Sequence, residues 1–313
     1  MRIAIYGTGG VGGYFGAQLA NAGEQVVFLA RGAHLAAIRS HGLHIETSRG
    51  SLLIHPANAT DDPSQVGVVD AVILGVKAWQ VPEAARAIRP LIGPETFVVP
   101  MQNGVEAPWQ LAEALGEAHV LGGLCATMSW VVGPGRIRSL GDAHFVKFGE
   151  LDGRPSERVE RLRAAFERAG VVVKVPFDIR AALWEKLLFV VSFGGVGAVT
   201  GAPIGVIRAL PETRRMLERC MEEIFAVARA HDVALSEGAV ERSMGFVDSL
   251  APGGTTSLQR DIGDGKPSEL EAWNGAVVRL GRQVGVATPT HEFLYHSLLP
   301  REMRARGEMP FPS

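Results

Sequence analysis

Several protein classes are excluded by what this sequence lacks. Only two cysteines, Cys125 and Cys220, occur in 313 residues, far apart and in no redox or metal-binding spacing, so a disulfide framework is not expected. The nine histidines show no ligand-like spacing with cysteine or with one another, which predicts no metal site. A formal net charge of −2 gives no indication of a nucleic acid or an anionic membrane as a partner.

Long apolar runs are also scarce. The apolar run that opens the chain ends at Gly7 and is too short for a signal peptide. The most apolar later stretch, residues 187–199, falls short of the ~20 residues that a membrane span needs, and Gly194, Gly195 and Gly197 interrupt it. We therefore expect a buried helix there, a cytoplasmic protein and no membrane partner.

Short apolar runs separated by helical patterns fill the first half of the chain. Hydrophobic residues make up 47 % of the sequence, which is enough to bury a core. The predicted strands are residues 2–6, 25–29, 68–76, 97–101 and 119–121. A helix is predicted over 11–21, ending before Gly23. Strands that alternate with helices predict a parallel, doubly wound α/β sheet.

The pattern changes after about residue 133. Residues 136–139 and 144–148 predict an antiparallel hairpin around Gly141-Asp142, and one more strand is predicted over 171–175. Helices then dominate, and they are predicted over 181–198, 213–231, 236–249 and 269–284. The sequence therefore predicts an N-terminal Rossmann-type domain over residues 1–177 and an all-α domain over 178–313.

A glycine-rich turn follows the first predicted strand. Its six residues match the pattern G-x-G-x-x-G and are Gly7, Thr8, Gly9, Gly10, Val11 and Gly12. The first glycine allows a tight turn, the second lets the backbone approach a pyrophosphate, and the third lets the helix pack on the strand. The helix that follows directs its free N–H groups at the phosphates. The turn therefore predicts a dinucleotide site, and the alternative is a purely structural turn.

The end of the second strand indicates which dinucleotide is bound. NAD enzymes usually carry an acid there for the ribose 2′-hydroxyl, whereas this chain has Arg31, whose guanidinium can bind a 2′-phosphate. This favours NADP(H), and the alternative is a solvated surface arginine. Lys77 and Asn103 also follow predicted strands. We expect Lys77 near the adenosine phosphates and Asn103 near the nicotinamide and substrate, unless they serve only as capping or turn residues.

The helical half contains two groups suited to acid–base chemistry. Lys186 stands at the edge of the very apolar helix, where lost hydration would make its ammonium a readier proton donor toward a carbonyl oxygen. Periodicity alone favours the alternative, a lysine whose amine reaches water. Ser257 and Glu269 flank a glycine-containing loop. Glu269 also suits the first turn of the next helix on dipole grounds alone.

Together these residues resemble the ketopantoate reductases (2-dehydropantoate 2-reductases) over essentially the whole chain. The N-terminal motifs of the resemblance are the turn 7–12, Arg31, Lys77-Ala78-Trp79-Gln80 and Asn103-Gly104. The C-terminal motifs are Trp184-x-Lys186-Leu187 and the series Ser257, Asp261-Ile262, Gly265-Lys266, Glu269-Leu270-Glu271 and Asn274-Gly275. Their order and spacing identify the chain as similar to this family.

The resemblance implies a role for each of the chemical groups. Lys186 would donate the proton to the keto oxygen, and Glu269 would orient that lysine and contact the cofactor. Asn103 would hold the nicotinamide side and the substrate, and Ser257 would bind the substrate carboxylate. Arg31 and Lys77 would bind the 2′-phosphate end of the cofactor.

The resemblance also implies a pathway and an assembly. The expected reaction is reduction of 2-dehydropantoate to (R)-pantoate by NADPH, a step toward pantothenate and coenzyme A. The expected partner is a small 2-keto acid, and a homodimer is left open.

Three positions depart from the family pattern. Family asparagines that contact the substrate align with Val190, Gly194 and Ile204, so the polar contacts to the substrate hydroxyl are missing. Gly194 either adds room for substrate or lets the helix pack closely on a neighbour. We expect that the catalytic groups are retained and that the substrate is either 2-dehydropantoate or a different, more apolar 2-keto acid. The sequence also leaves open a different dehydrogenase and a non-catalytic NADP(H)-binding sensor.

Overall fold

The structure is a computed structural model that describes residues 1–311, without the side chains of Asp142 and Ala143. The chain divides into two compact units. The first unit consists of Met1–Gln102 and Glu106–Ile179, and the second of Asn103–Val105 and Arg180–Ser313. The short segment Asn103–Val105 therefore groups with the helical part of the chain.

The first unit contains ten strands and five α-helices among the described residues. In chain order they are β1 (Arg2–Tyr6), α1 (Gly10–Asn21), β2 (Gln25–Leu29), α2 (Gly32–His41), β3 (Leu43–Thr47), β4 (Gly50–Ile54), β5 (Ala59–Thr60), β6 (Ala71–Leu74), α3 (Val81–Ala87), β7 (Phe97–Pro100), α4 (Ala107–Leu115), β8 (Leu121–Gly133), β9 (Arg136–Glu150), α5 (Glu157–Arg168) and β10 (Val172–Lys174). Short 3-10 turns lie at Pro63–Gln65, Ala78–Gln80, Arg89–Leu91 and Glu117–His119. Five strands form a parallel sheet in the order β5-β2-β1-β6-β7. This confirms the predicted Rossmann-type sheet.

Both faces of the parallel sheet are buried. Along β1, Ile3 and Ile5 belong to one apolar cluster, while Ala4 and Tyr6 belong to another. Successive side chains of a strand point to opposite faces, so the two clusters cover the two sides of the sheet. Burial on both sides explains why the central strands read as continuous apolar runs rather than alternating ones.

The other strands form a second sheet, and here one prediction is wrong. The predicted hairpin around Gly141-Asp142 does not form, because β9 continues through these residues and pairs antiparallel with β8. The chain reverses instead at Pro134-Gly135, where Gly135 has a φ of +70°, a conformation that favours glycine. The register shifts between Ala126 and Met128 on β8, so the glycine signal at 141 marks a bulge in a long strand rather than a turn.

Two further parts of the second sheet differ from the predictions. Strands β3 and β4 pair with each other, and β3 also pairs with β9, although neither was predicted. The predicted strand at 119–121 is replaced by a 3-10 turn, a single bridge from Val120 to Val98, and the start of β8. Polar residues such as Glu46 and Ser51 interrupt the apolar pattern in β3 and β4, which removes the signal of a buried strand.

The second unit is helical. Its α-helices are α6 (Ile179–Thr200), which begins at the unit boundary, α7 (Ile204–Ala209), α8 (Pro211–Ala230), α9 (Ala239–Ser249), α10 (Ser257–Gly263), α11 (Ala276–Gln283) and α12 (Pro289–Ala305). The predicted helix over 269–284 instead starts as a π-helical turn, Glu271–Gly275, that continues into α11. The all-α character of this part of the chain is confirmed.

Helix α6 is the long apolar helix of the second unit. By length and composition it could cross a membrane, but most of its apolar window is buried within the fold. A helix that is apolar around most of its circumference is typical of a protein core. The predicted buried helix is therefore confirmed.

Candidate functional site

Two of the three motif glycines in the turn are required by the packing around them, and the third is not. Gly7 has a φ of +96°, and a Cβ there would lie 2.7–2.9 Å from atoms of Gly75 and Val76. A Cβ on Gly12 would collide with the Gly7 carbonyl oxygen. Around a Cβ on Gly9, by contrast, the described residues place no atom within 4 Å. Two of the glycines thus serve the packing of the turn, and the third faces open space.

The remaining residues of the turn are fixed by neighbouring strands. The hydroxyl of Thr8, which is buried, donates a hydrogen bond to the Leu29 carbonyl at 2.9 Å. A side chain on Gly10 would collide with the Ser129 carbonyl oxygen on β8. Val11 packs against the apolar cluster of the sheet. Strand β8 therefore lies directly against the start of α1, and no sequence motif predicts this contact.

This arrangement fits a dinucleotide. The N-cap of α1 is Gly9, which has no side chain to cap the helix, so no N-cap side chain occupies the first N–H groups of the helix. Free N–H groups at a helix N-terminus, together with the positive end of the helix dipole, bind phosphate groups. The open space at Gly9 is where a backbone can approach a pyrophosphate.

Two cationic residues follow strands of the same sheet. Arg31 is the N-cap of α2, and its Nη2 lies 3.8 Å from Glu83 Oε1 and 3.5 Å from the Tyr6 hydroxyl. The Arg31 and Glu83 side chains are 68 % and 64 % exposed, so the pair is accessible to a ligand. The Nζ of Lys77 lies 5.8 Å from the centroid of the Trp79 ring. Both cations stand where the sequence predicted them, just after β2 and β6.

Gln102 is a contributor to this region that the sequence did not single out. The residue is buried, and its side-chain amide donates hydrogen bonds to the carbonyls of Leu74 and Val76 at 3.0 and 2.9 Å. It thereby ties the end of β7 to the end of β6. The one signal in the sequence is that Gln102 directly precedes the Asn103-Gly104 motif.

In the second unit, glycines of α6 make room for the segment 269–275. A Cβ on Gly194 would lie 2.7 Å from the ring of Trp273, and one on Gly195 would lie 2.5 Å from Nδ2 of Asn274. Trp273 and Asn274 are fully buried. The volume beside Gly194 is therefore filled by Trp273, which supports the alternative that this glycine lets the helix pack closely on a neighbour.

The segment that carries Glu269 is anchored from α12. The Ser268 backbone N–H donates to both carboxylate oxygens of Glu302 at 3.0 and 3.1 Å. Glu302 also accepts from Arg306 Nε at 2.7 Å. Glu269 is itself only 7 % exposed, and a carboxylate is rarely so buried without a partner. Ser268 and Glu302 thus set the position of the neighbouring carboxylate, a role without a sequence signal.

The other predicted residues of this unit lie on the elements around that segment. Lys186 and Val190 are partly buried on α6, and Ser257 is the first residue of α10, next to its N-cap Thr256. A Cβ on Gly104 would lie 3.3 Å from the Ala272 carbonyl oxygen, so the turn that contains Asn103 lies beside the π-helical turn. The structure therefore brings Asn103 close to the segment that follows Glu269.

Ile204 and Asn274 have clear structural surroundings. Ile204 is fully buried, and its backbone N–H donates to the Gly254 carbonyl at 3.0 Å. The Asn274 amide lies 3.1 Å from Nδ1 of His291, whose Nε2 lies 3.1 Å from the Cys220 carbonyl. Burial lowers the pKa of His291, which favours a neutral ring that accepts from Asn274 and donates to the carbonyl.

Comparison with known families accounts for most of the chain. The family described as "Ketopantoate reductase PanE/ApbA" matches residues 3–153. The family described as "Ketopantoate reductase PanE/ApbA C terminal" matches residues 178–302. The first match lies almost entirely within the first unit of the fold, and the second lies almost entirely within the second unit.

Individual relatives agree with these matches. A 2-dehydropantoate 2-reductase from Mesorhizobium japonicum is 34 % identical over 93 % of this chain and 94 % of its own length. The crystal structure of a 2-dehydropantoate 2-reductase from Geobacter metallireducens has a TM-score of 0.89 at 31 % identity, covering 96 % of this chain and 99 % of that one. A D-mandelate dehydrogenase structure with NADH and anilino(oxo)acetate has the same fold, with a TM-score of 0.89 at 22 % identity over 98 % of this chain and 99 % of that one.

Proposed function

The chain belongs to the ketopantoate reductase family, and from that premise we propose that it reduces a 2-keto acid with NADPH. The default substrate is 2-dehydropantoate, reduced to (R)-pantoate in the cytoplasm as a step of pantothenate biosynthesis. The observation that carries this proposal is the close packing of α6, which bears Lys186, on the segment that follows the buried Glu269.

The cofactor supplies the hydride when it is bound, and the protein supplies position and a proton. The turn at Gly9 receives the pyrophosphate on the N–H groups that begin α1. Arg31 and Lys77 bind the 2′-phosphate end, because a guanidinium and an ammonium are both suited to phosphate oxygens. Asn103 binds the nicotinamide side and the substrate.

The proton comes from Lys186. As negative charge develops on the keto oxygen, the ammonium donates a proton to it, which general acid catalysis requires. Glu269 holds the charged form of the lysine in place, and its burial strengthens that attraction. Ser257 binds the carboxylate of the substrate. Ser268 and Glu302 support the arrangement by fixing the backbone before Glu269.

The second candidate substrate is a more apolar 2-keto acid. Two family asparagine positions hold Val190 and the fully buried Ile204, and neither side chain can bond a substrate hydroxyl. Apolar pockets discriminate against a missing hydroxyl only weakly, whereas sites that bond it discriminate by roughly 10⁴–10⁵. Selectivity for the hydroxyl of 2-dehydropantoate is therefore expected to be low.

A pair of matched substrates tests this proposal. 2-Dehydropantoate and 3-methyl-2-oxobutanoate differ only by a hydroxymethyl group, and we expect their kcat/KM values to differ by less than about 200-fold. The variant Val190→Asn should raise the preference for 2-dehydropantoate roughly tenfold, while Val199→Asn, at a partly exposed valine later in α6, should not.

Three outcomes of this comparison contradict parts of the proposal. A preference of about 10⁴ or more for 2-dehydropantoate would remove the more apolar acid as a candidate. Turnover of neither acid, nor of other branched 2-keto acids, would remove the reductase function. Dinucleotide binding without any turnover would leave a sensor.

Cofactor choice is tested at Arg31. The variant Arg31→Ala should lower kcat/KM for NADPH by about 10- to 100-fold, because hydrogen bonds to a charged phosphate are lost, and should leave the value for NADH nearly unchanged. Arg39→Ala, an exposed arginine on the same helix α2, is the control. A wild-type enzyme that prefers NADH would contradict the NADPH assignment alone.

A further inference from the structure

His34 joins the glycine-rich turn to a distant part of the first unit. The residue lies in the first turn of α2. Its Nε2 lies 2.8 Å from the carbonyl oxygen of Thr8. Its Nδ1 accepts a hydrogen bond at 3.0 Å from the backbone N–H of Gly135, which forms the reversal between β8 and β9. One imidazole ring thus contacts the turn and a segment 101 residues away.

The two contacts define the state of the ring. The Gly135 N–H can only donate, so Nδ1 carries no proton. Nε2 therefore carries the proton of the neutral ring and donates it to the Thr8 carbonyl oxygen. Burial lowers the pKa of His34, which keeps the ring neutral around neutral pH as the acceptor role of Nδ1 requires.

The bond to Thr8 controls the direction of the next N–H group. The Thr8 carbonyl and the Gly9 N–H belong to one planar trans peptide unit and point in opposite directions. A donor that holds the carbonyl on the His34 side therefore directs the Gly9 N–H away from His34. The space where a Cβ on Gly9 would lie is open, which leaves room beside this residue for a phosphate oxygen that accepts from that N–H.

The partner of Nδ1 is itself held in place. The Gly135 carbonyl accepts from the His44 N–H of β3 at 2.9 Å, and β8 contacts the turn a second time where Ser129 lies against Gly10. The β8–β9 hairpin therefore gives His34 a fixed point of support. A ring held from two sides can define the orientation of a peptide unit better than one bonded to the turn alone.

We propose that His34 is a positioning residue for the dinucleotide, because it orients the Thr8–Gly9 peptide so that its N–H faces the pyrophosphate. This inference rests on the proposed use of a dinucleotide. It is independent of the identity of the keto acid. Because the pyrophosphate is common to NADPH and NADH, the effect of His34 is the same for both cofactors, unlike that of Arg31.

Matched variants of two histidines on α2 test the proposal. His34→Phe keeps an aromatic ring and loses both hydrogen bonds, His34→Gln can still donate to Thr8, and His41→Phe changes an exposed histidine of the same helix. Fluorescence titration with NADPH and with NADH measures Kd without turnover. We expect His34→Phe to raise both Kd values about tenfold, and His34→Gln to recover most of this loss. His41→Phe should bind like the wild type, and kcat at saturating cofactor should change little in all three variants.

The outcomes separate this proposal from the proposed function. A wild-type protein that binds neither dinucleotide would overturn the proposed function. Wild-type affinity in folded His34→Phe, or a Kd in His34→Gln as high as in His34→Phe, would overturn the role of His34. If His34→Phe does not fold, His34→Asn replaces it, because the shorter amide can reach Gly135 but not Thr8. Tighter binding by His34→Gln than by His34→Asn then supports the proposal, and equal or reversed affinities overturn it.

Discussion

Replacing Gly9 by alanine should weaken cofactor binding and leave the free energy of unfolding nearly unchanged. The backbone of Gly9 has φ −82° and ψ −160°, which any L-residue adopts, and the described residues leave the space around a new Cβ empty. Reduced flexibility of the unfolded chain stabilises by about 0.4–1 kcal/mol, and the loss of a favourable N-cap residue costs about 0.5–1 kcal/mol. The two effects nearly cancel, so the free energy of unfolding should change by less than about 1 kcal/mol.

The cofactor, in contrast, should bind much more weakly to this variant. The methyl group occupies the space through which the backbone approaches the pyrophosphate, so at least one charge-assisted hydrogen bond of about 1.5–3 kcal/mol is lost. Crowding adds roughly 1 kcal/mol or more, and the sum corresponds to about a 100-fold increase in Kd. Thermal unfolding and fluorescence titration of the same protein sample measure both quantities.

The neighbouring glycine provides the contrast for this prediction. A Cβ on Gly10 would collide with the Ser129 carbonyl of β8, and a backbone atom held in a sheet cannot yield easily. Gly10→Ala should therefore destabilise the protein by about 1–3 kcal/mol. If Gly9→Ala binds NADPH and NADH with wild-type affinity, the open side of the turn does not hold the pyrophosphate, and the assignment of the cofactor site is refuted.

Three further predictions concern the second unit. Lys186→Ala should lower kcat by about 10²- to 10⁴-fold with little change in the Kd of the cofactor, and near-normal turnover would exclude Lys186 as the proton donor. Gly194→Ala gains about 1 kcal/mol of helix propensity but places a Cβ 2.7 Å from the Trp273 ring, and this crowding costs about 1–3 kcal/mol. We therefore expect a lower Tm, whereas a higher Tm would show that the ring can move away freely. His291 is buried with a lowered pKa, so as the pH falls the unfolded chain takes up a proton at this histidine before the folded protein does. Below about pH 6.5 the free energy of unfolding should therefore decrease, by up to about 1.4 kcal/mol per pH unit. His291→Gln should reduce that slope in urea unfolding measured between about pH 6.5 and 5.5, and an unchanged slope would contradict the reasoning.

Features determined by neighbouring residues in the chain could be predicted from the sequence. The central strands β1 and β2 are short apolar runs buried on both faces, and the turn 7–12 follows one of them directly. Helix α6 has an almost continuous apolar run from residue 187 to 199, so it could be placed in a core before its partners were known. In each case the signal lies within about twenty residues, as hydrophobic periodicity and turn chemistry require.

Features determined by distant partners could not be predicted in this way. Gly141 and Gly135 both have a positive φ, and nothing local shows that the first lies in a bulge and the second at the reversal. The reason for a glycine at position 10 is a carbonyl on β8, and His34 depends on Gly135, 101 residues away. Such roles follow from the tertiary packing and leave no motif in the sequence.

The glycines of α6 also limit where this helix can change. Each of these glycines leaves a recess on the helix surface that a different side chain fills. The pairs are Gly194 with Trp273, Gly195 with Asn274, and Gly197 with Gln259. A slip of one residue would rotate every recess by about 100° and force these side chains into the backbone of α6. These three contacts therefore fix one register for the whole helix, whereas the side chain at Val190 does not face such a glycine contact. Under the proposed function, substitutions that alter substrate preference should therefore be tolerated better at Val190 than at the three glycines beyond it.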